Sequence, residues 1–432
     1  MPMTFRPVAP AALAVALLAG VAVAQPCTPT WSNQPGQPGI TTGYIAPILG
    51  YDDGSGEKVY VGGSFYNSTI GGAPGTSMLG RWDPNTSTWS AVGSPGLANG
   101  STNGFLTSFE PFTVAGQPKL VVGGFYASAG GLPGTASLAM WNGAAWEDLG
   151  TGWQGNDRGS VWGMAVHNGL LYVGGGNVGG STIGGVPYNG AASWDGQAWT
   201  NLGGGVTGSF SPFIAAMQLH DDGSGPKIYA AGRFSSAGGV AGTSSVARWD
   251  PATQQWESVG GGLFSTSSAF GMEALTVFEG ELYVAGYLHG ATGQPTANVF
   301  RWNGSSWVAV GQPTGGRITS IIGFNDGAGA DLYIGGTATP NIGYFARLEA
   351  GQWVAVDGGV TGNSVTGSFP SVFGLSVVGD SLYVGGNFTA IGTVASTGGL
   401  ARYEACQMTP SCAPDLTTTA IAGSPGYGVP NG

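Results

Sequence analysis

The pentapeptide "LYVGG" at residues 171–175 sets the reading of the whole chain, because variants of it recur along its length. They are "VYVGG" from Val59, "LVVGG" from Leu120, "IYAAG" from Ile228, "LYVAG" from Leu282, "LYIGG" from Leu332 and "LYVGG" from Leu382, so that successive copies stand 50 to 61 residues apart. A repeat of that length built from short apolar runs predicts a β-propeller with one blade per copy. A lone four-stranded sheet leaves two apolar faces uncovered, and neighbouring copies bury them.

Outward from the anchor, each unit divides into four strands. The anchor is the second. A moderately apolar run precedes it, as in "VWGMAVH" from Val161, and a glycine-rich connection such as "ASAGGLPGTAS" from Ala127 follows it. The third strand resembles "SVARWD" from Ser245 and the fourth "QWESVG" from Gln255. Between them, Asn142-Gly143, Asp195-Gly196 and Asn303-Gly304 are the pairs that a two-residue type I′ hairpin requires. The stretch "DDGSGEKVYVGG" from Asp52 has the look of a cation loop, yet it recurs at the same place as "DDGSGPKIYAAG" from Asp221 and "NDGAGADLYIGG" from Asn325. It is therefore an expanded first-to-second turn, with glycines at positive φ and aspartates that satisfy turn amides.

The double glycine followed by "RWDPNTSTW" from Arg81 or "RWDPATQQW" from Arg248 resembles the kelch repeat. The resemblance covers about residues 28–406, with Met140 in place of the basic residue in unit two and Leu348 in place of the aromatic in unit six. It implies an all-β, seven-bladed β-propeller of four-stranded antiparallel blades. The seventh unit stops after its third strand, "GLARYEAC" from Gly399, while "TPTWSN" from Thr28 carries the Trp of a fourth. The N-terminal strand is thus expected to close the ring beside residues 399–405, removing the free edges of an open array. Counted from Trp31 and Tyr403, Cys27 and Cys406 fall inside the turn that the chain ends interrupt. A Cys27–Cys406 disulfide would replace that turn, with Cys27–Cys412 as the competing bond.

Gly is 83 of 432 residues, charged residues are 8% and aromatics 11%, a composition suited to short strands and tight turns. A net charge of −11 with only 12 Lys and Arg leaves no basic stripe for nucleic acid. Residues 1–24 hold one Arg, an apolar run and Ala22-Val23-Ala24, the pattern of a secretory signal cleaved near Ala24. That run is too short for a comfortable membrane span, and no other segment approaches ~20 apolar residues. The expected product is a secreted or cell-surface monomer, with the propeller over 25–406 and a tail over 407–432. In the tail, "CAPDLTTTAIAGSPGYGVPNG" from Cys412 resembles the opening of dockerin-like C-terminal anchor modules, whose acidic loops bind calcium and lead into helices; only Asp415 and Asn431 match such ligands and no helix follows, so a truncated, disordered anchor segment without bound calcium is expected.

Twelve of the 14 tryptophans occupy repeated third- or fourth-strand columns, which assigns them to packing between blades. Trp153 and Trp162 stand outside those columns. Galactose oxidase has a similar scaffold, but its copper needs converging histidine and tyrosine ligands; His167, His220 and His289 do not converge, and neither metal nor cofactor is expected. The first strand should line the central channel. Aligning first strands puts Pro47, Gly163, Ala216, Ala274, Ser320 and Gly374 in a small-residue column that Glu110 shares, with Glu273 one position earlier and Arg317 at its strand's entry. The long second-to-third and fourth-to-first loops emerge on one face. The binding candidates are Trp153, Asp157, Arg158, Trp162, Tyr188 and His289, for a protein or carbohydrate partner. The function expected is a non-catalytic binding or surface-scaffold module. Its rivals are a polysaccharide lyase or glycosidase using Glu110 and Glu273, and a purely structural surface protein.

Overall fold

The computed structural model describes residues 28–35, 39–66, 68–98, 104–150, 153–154, 160–176, 181–209, 211–265, 271–367, 369–395 and 397–406. Each repeat forms an antiparallel four-stranded meander, as in unit one: Tyr44–Asp52, Glu57–Ser64, Leu79–Asp83 and Thr88–Ala91. The first strands of units two to seven are Phe105–Val114, Val161–His167, Phe213–Asp221, Met272–Phe278, Arg317–Asn325 and Ser371–Val378. Unit seven ends its own run of chain with Leu400–Glu404, and Thr30–Ser32 supplies the fourth strand, Trp31 lying opposite Tyr403. First strands touch in chain order, and that of unit seven touches that of unit one. Among the described residues there is no α-helix, only the 3-10 turns Pro340–Ile342 and Val356–Gly358, and no helix is long and apolar enough to cross a membrane.

Every first strand is broken by a β-bulge at one shared position. The ladder with the anchor skips Thr107, Trp162, Ala215, Glu273, Thr319 and Phe373 in units two to seven, and Ala46 with Pro47 in unit one. The bulge explains the anchor's second glycine. A methyl group there would lie 2.1 Å from Tyr44 O at Gly63, 2.3 Å from Phe105 O at Gly124 and 2.1 Å from Phe213 O at Gly232. The first glycine serves the seam between sheets: a methyl on Gly174 would meet Ile214 Cγ2 at 2.5 Å, and one on Gly335 would meet Val372 Cγ1 at 2.4 Å. The residue before each bulge, Ile45, Leu106, Val161, Ile214, Met272, Ile318 or Val372, is wholly buried in that seam.

Tryptophans tie the seams laterally. Fourth-strand indoles donate to the preceding unit: Trp146 to Val92 O at 3.3 Å, Trp199 to Leu149 O at 2.6 Å, Trp256 to Leu202 O at 2.9 Å and Trp307 to Val259 O at 2.9 Å. Trp31 donates to Asp357 Oδ2 at 2.9 Å. A column repeated for that bond and for burial needs no ligand to account for it.

The acidic turn is a second tie. Asp52 Oδ1 accepts from the amides of Gly54 and Gly56, both at 2.9 Å, which shapes the loop. Its neighbour Asp53 turns inward and accepts from Tyr60 Oη at 2.6 Å, from the Arg81 guanidinium, and from the indole of Trp141 in the next unit at 3.2 Å. Asp222 repeats this with Tyr229 at 2.9 Å, Arg248 at 2.7 Å and Trp302 at 2.9 Å. Asp326 accepts from Tyr333 at 3.0 Å and Arg347 at 2.6 Å, while its carbonyl accepts the Cys406 amide at 2.9 Å. Burial alone would raise the Asp222 carboxyl. Hydrogen bonds from Ser224, Trp302 and Tyr229 and the charge of Arg248 instead hold it well below the usual carboxylate range. Residues 1–27 and 407–432 lie outside the described residues, and with them the leader, the tail, Cys27 and Cys412.

Candidate functional site

A bulge re-aims the residue it leaves unpaired. Here the re-aimed residues converge. Ala46, Thr107, Trp162, Ala215, Glu273, Thr319 and Phe373, one from each unit, line a cavity of about 210 Å³ together with Tyr44, Leu106, Phe213 and Arg317. The same ring borders a second space of about 410 Å³ that continues along the first strands. That space passes the small residues Pro47, Ser108, Gly163, Ala216, Ala274, Ser320 and Gly374, then an apolar layer that includes Phe109, Met164, Met217 and Leu275.

The small-residue column therefore holds Ser108 where sequence alignment put Glu110. The cause is a longer hairpin. In unit three, Gly163 pairs with Gly174 and the arms meet at His167 and Leu170; in unit two, Ser108 pairs with Gly123 but the arms run on to Val114 and Gln117. Counting back from the turn slips by two residues. Glu110 consequently lines neither cavity. It stands three register positions beyond the bulge ring, roughly 10 Å along the strand direction, and burial pushes its carboxyl up to about 8. Glu273 and Glu110 do not share one pocket.

The cavity wall has two characters. Trp162 lies 5.7 Å from the Phe105 ring and 5.7 Å from the Phe213 ring, and Tyr44 lies 4.6 Å from Phe373, so units seven, one, three and four line the cavity with aromatic rings and Phe105 backs Trp162. Trp162 is 36% exposed, and its indole N–H donates to Ser160 Oγ at 2.9 Å, which fixes the ring's orientation. Across units five and six the wall is charged. Arg317 Nη1 stands 3.2 Å from Glu273 Oε1, and the Arg233 guanidinium lies 5.1 Å over the Phe213 ring. Burial raises the Glu273 carboxyl to about 7 against the opposing pull of Arg317 and Arg233. The two threonines also link neighbours: Thr319 Oγ1 donates to Val372 O at 2.6 Å and Thr107 Oγ1 donates to Val161 O, each to the residue before the next unit's bulge.

Of the loop-face candidates, Trp162 reaches the cavity and three others do not. Trp153 is partly buried against a hydrophobic cluster, with its ring 4.3 Å from that of Tyr188. Tyr188 and His289 are wholly buried. His289 belongs to the strand Glu281–Gly290, paired with Ser265 on one side and Ala297 on the other, where a loop was expected; burial lowers its imidazole pKa. Asp157 and Arg158 lie outside the described residues. Sequence reasoning missed Tyr44, Phe213 and Phe373. For Phe373 the available signal was the position before the small-residue column, which is chemically varied while the column itself is uniform. Among the described residues, no group of three or more His, Cys, Asp or Glu could hold a metal ion.

No protein-family model and no curated protein matches the sequence. Among solved structures, the chain is similar to the computationally designed protein Ika8, with a TM-score of 0.44 and 14% identity over 84% of this chain and 96% of that one. It is also similar to the GH74 xyloglucanase from Xanthomonas campestris, with a TM-score of 0.39 and 13% identity over 84% of this chain and 53% of that one.

Proposed function

We propose that this chain is an exported, kelch-like, seven-bladed propeller closed by its N-terminal strand, and that it is a non-catalytic binding module whose ligand enters the cavity at the bulge ring. The observation that carries this reading is the convergence of one unpaired residue from every unit on a single cavity. Each bulge forfeits ladder pairing and re-aims the residue it leaves unpaired. The ring of bulges brings the partly exposed Trp162 and the Arg317–Glu273 pair onto one cavity. A glycan array probed with the mature chain tests the proposal. Trp162→Ala should abolish the signal while the thermal transition stays within about 2 °C of the parent; an unchanged signal would reject the cavity as the site.

A Cys27–Cys406 bridge and a C-terminal anchor complete the proposal. The register supports the bridge: Thr30 faces Glu404, which sets residue 28 opposite 406 and leaves Cys27 one residue beyond. Non-reducing peptide mapping of exported material checks it, and the same spectra give the mature N-terminus, expected at Gln25.

A further inference from the structure

Resting on the cavity as the binding site, we infer that its ligand is an acidic sugar, a pyranose bearing a carboxylate or sulfate, held with one C–H face on Trp162 and its anionic group on Arg317. The first support is the division of the wall: aromatic rings on one arc, the Arg317 guanidinium on the other. An apolar face and a charged edge on one small ring is the ligand shape that such a wall complements.

The second support is how cations are placed. The chain has only 12 Lys and Arg against 23 Asp and Glu. Every other described Lys or Arg forms an ion pair on strands away from the cavity. Among the described residues, Arg317 is the cation that lines the cavity and Glu273 the carboxylate beside it, while Arg233 stands over the Phe213 ring and donates to Ser211 O at 3.0 Å. Planar guanidinium groups suit bidentate capture of a carboxylate or sulfate.

The third is size. At about 210 Å³ the cavity is smaller than the range of roughly 300–1,000 Å³ typical of drug-sized ligands, so it takes a single ring, as a chain terminus or a free sugar. Glu273 fits this reading as the resident counter-charge of Arg317, displaced or protonated when the ligand's anion arrives.

Calorimetric titration of the full chain tests the inference, with glucuronate-ended, galacturonate-ended, sulfated and neutral oligosaccharides of equal length and with free glucuronate. Acidic oligosaccharides should bind about tenfold or more tightly than neutral ones. Arg317→Ala should erase that preference, with Arg317→Lys as a charge-retaining variant should the first fail to fold. Glu273→Gln should tighten acidic binding about threefold or more. Preference for the sulfated or the carboxylated arm identifies the anionic group, and free glucuronate binding as well as the oligosaccharides identifies a solute; both support the inference. Neutral sugars binding equally, with Trp162→Ala still destroying affinity, would overturn the acidic class and leave the cavity as the site. Loss of acidic binding in Glu273→Gln would also overturn it. Absence of binding by every sugar would overturn the cavity reading itself.

Discussion

Asp222 and Glu273 are both partly buried carboxylates beside an arginine, at opposite ends of adjoining first strands, and they have opposite properties. Asp222 accepts from Tyr229, Arg248, Ser224 and a neighbouring unit's Trp302, and its carboxyl is held well below the ordinary range. Glu273 stands 3.2 Å from Arg317 and is raised to about 7. The difference is donor saturation. A carboxylate whose lone pairs are filled by its own protein is a lock, whereas one left short of donors is available to something else. Acidic residues close to glycine turns drew attention first in the sequence, but the chemistry capable of change is at the other end of the strands.

The largest expected effect breaks the lock. Asp222→Ala leaves Arg248 and the Trp302 indole without their buried partner and should cost about 3–5 kcal/mol in denaturant unfolding, with sugar affinity per folded molecule intact. Loss of affinity at full stability would mean that the turn, too, belongs to a site.

Next comes Glu110, buried like the locks but raised to about 8. A carboxyl raised on folding binds more protons folded than unfolded, so its penalty is absent below pH ~4 and grows as pH climbs from there towards 8. Glu110→Gln should therefore stabilise by on the order of 2 kcal/mol at pH 8 and leave stability unchanged at pH 4. Urea midpoints at the two pH values decide it.

Smaller still is Thr319→Val, which removes the hydroxyl bonded to Val372 O and should cost about 1 kcal/mol by urea unfolding. Least of all for stability is Trp162→Ala, within about 0.5–1 kcal/mol because the ring is partly exposed, while its effect on binding should be complete. Were Trp162→Ala to destabilise as much as Asp222→Ala, the bulge ring would be a second structural lock.

Much of this architecture was legible in the sequence. The anchors mark the second strands, the Asn-Gly and Asp-Gly pairs mark turns, and Trp31 is matched to Tyr403 because an incomplete unit at one end needs a strand from the other. The bulge was not legible, because it is a relation of register between two strands and neither strand alone shows it. Its trace was visible in the anchor's second glycine, whose reason is the carbonyl pressing on it. Glu110 was misplaced because hairpin arms differ in length, and Tyr188 and His289 were taken for surface residues because composition does not reveal which way a loop folds back. The exposed face of Trp162 survives from that group because its own strand, not a loop, presents it.

The seams are not equally strong, and that inequality should govern how the molecule comes apart. Seams one–two and four–five carry both an aspartate lock and an indole-to-carbonyl bond, and six–seven carries Trp31 on Asp357 with Thr337 paired to Ser371. Two–three and three–four carry the indole bond. Five–six is tied differently: Gln312 accepts the Trp353 amide at 2.9 Å and donates to the Trp353 carbonyl at 3.1 Å, Asn298 donates to Gly316 O at 2.8 Å, and Arg317 faces Glu273. Among the described residues, seven–one shows neither the aspartate lock nor the indole bond, and the molecule should open there first. Hydrogen exchange under mildly destabilising conditions should then show amides of the first strands Tyr44–Asp52 and Ser371–Val378 exchanging ahead of those in Phe213–Asp221.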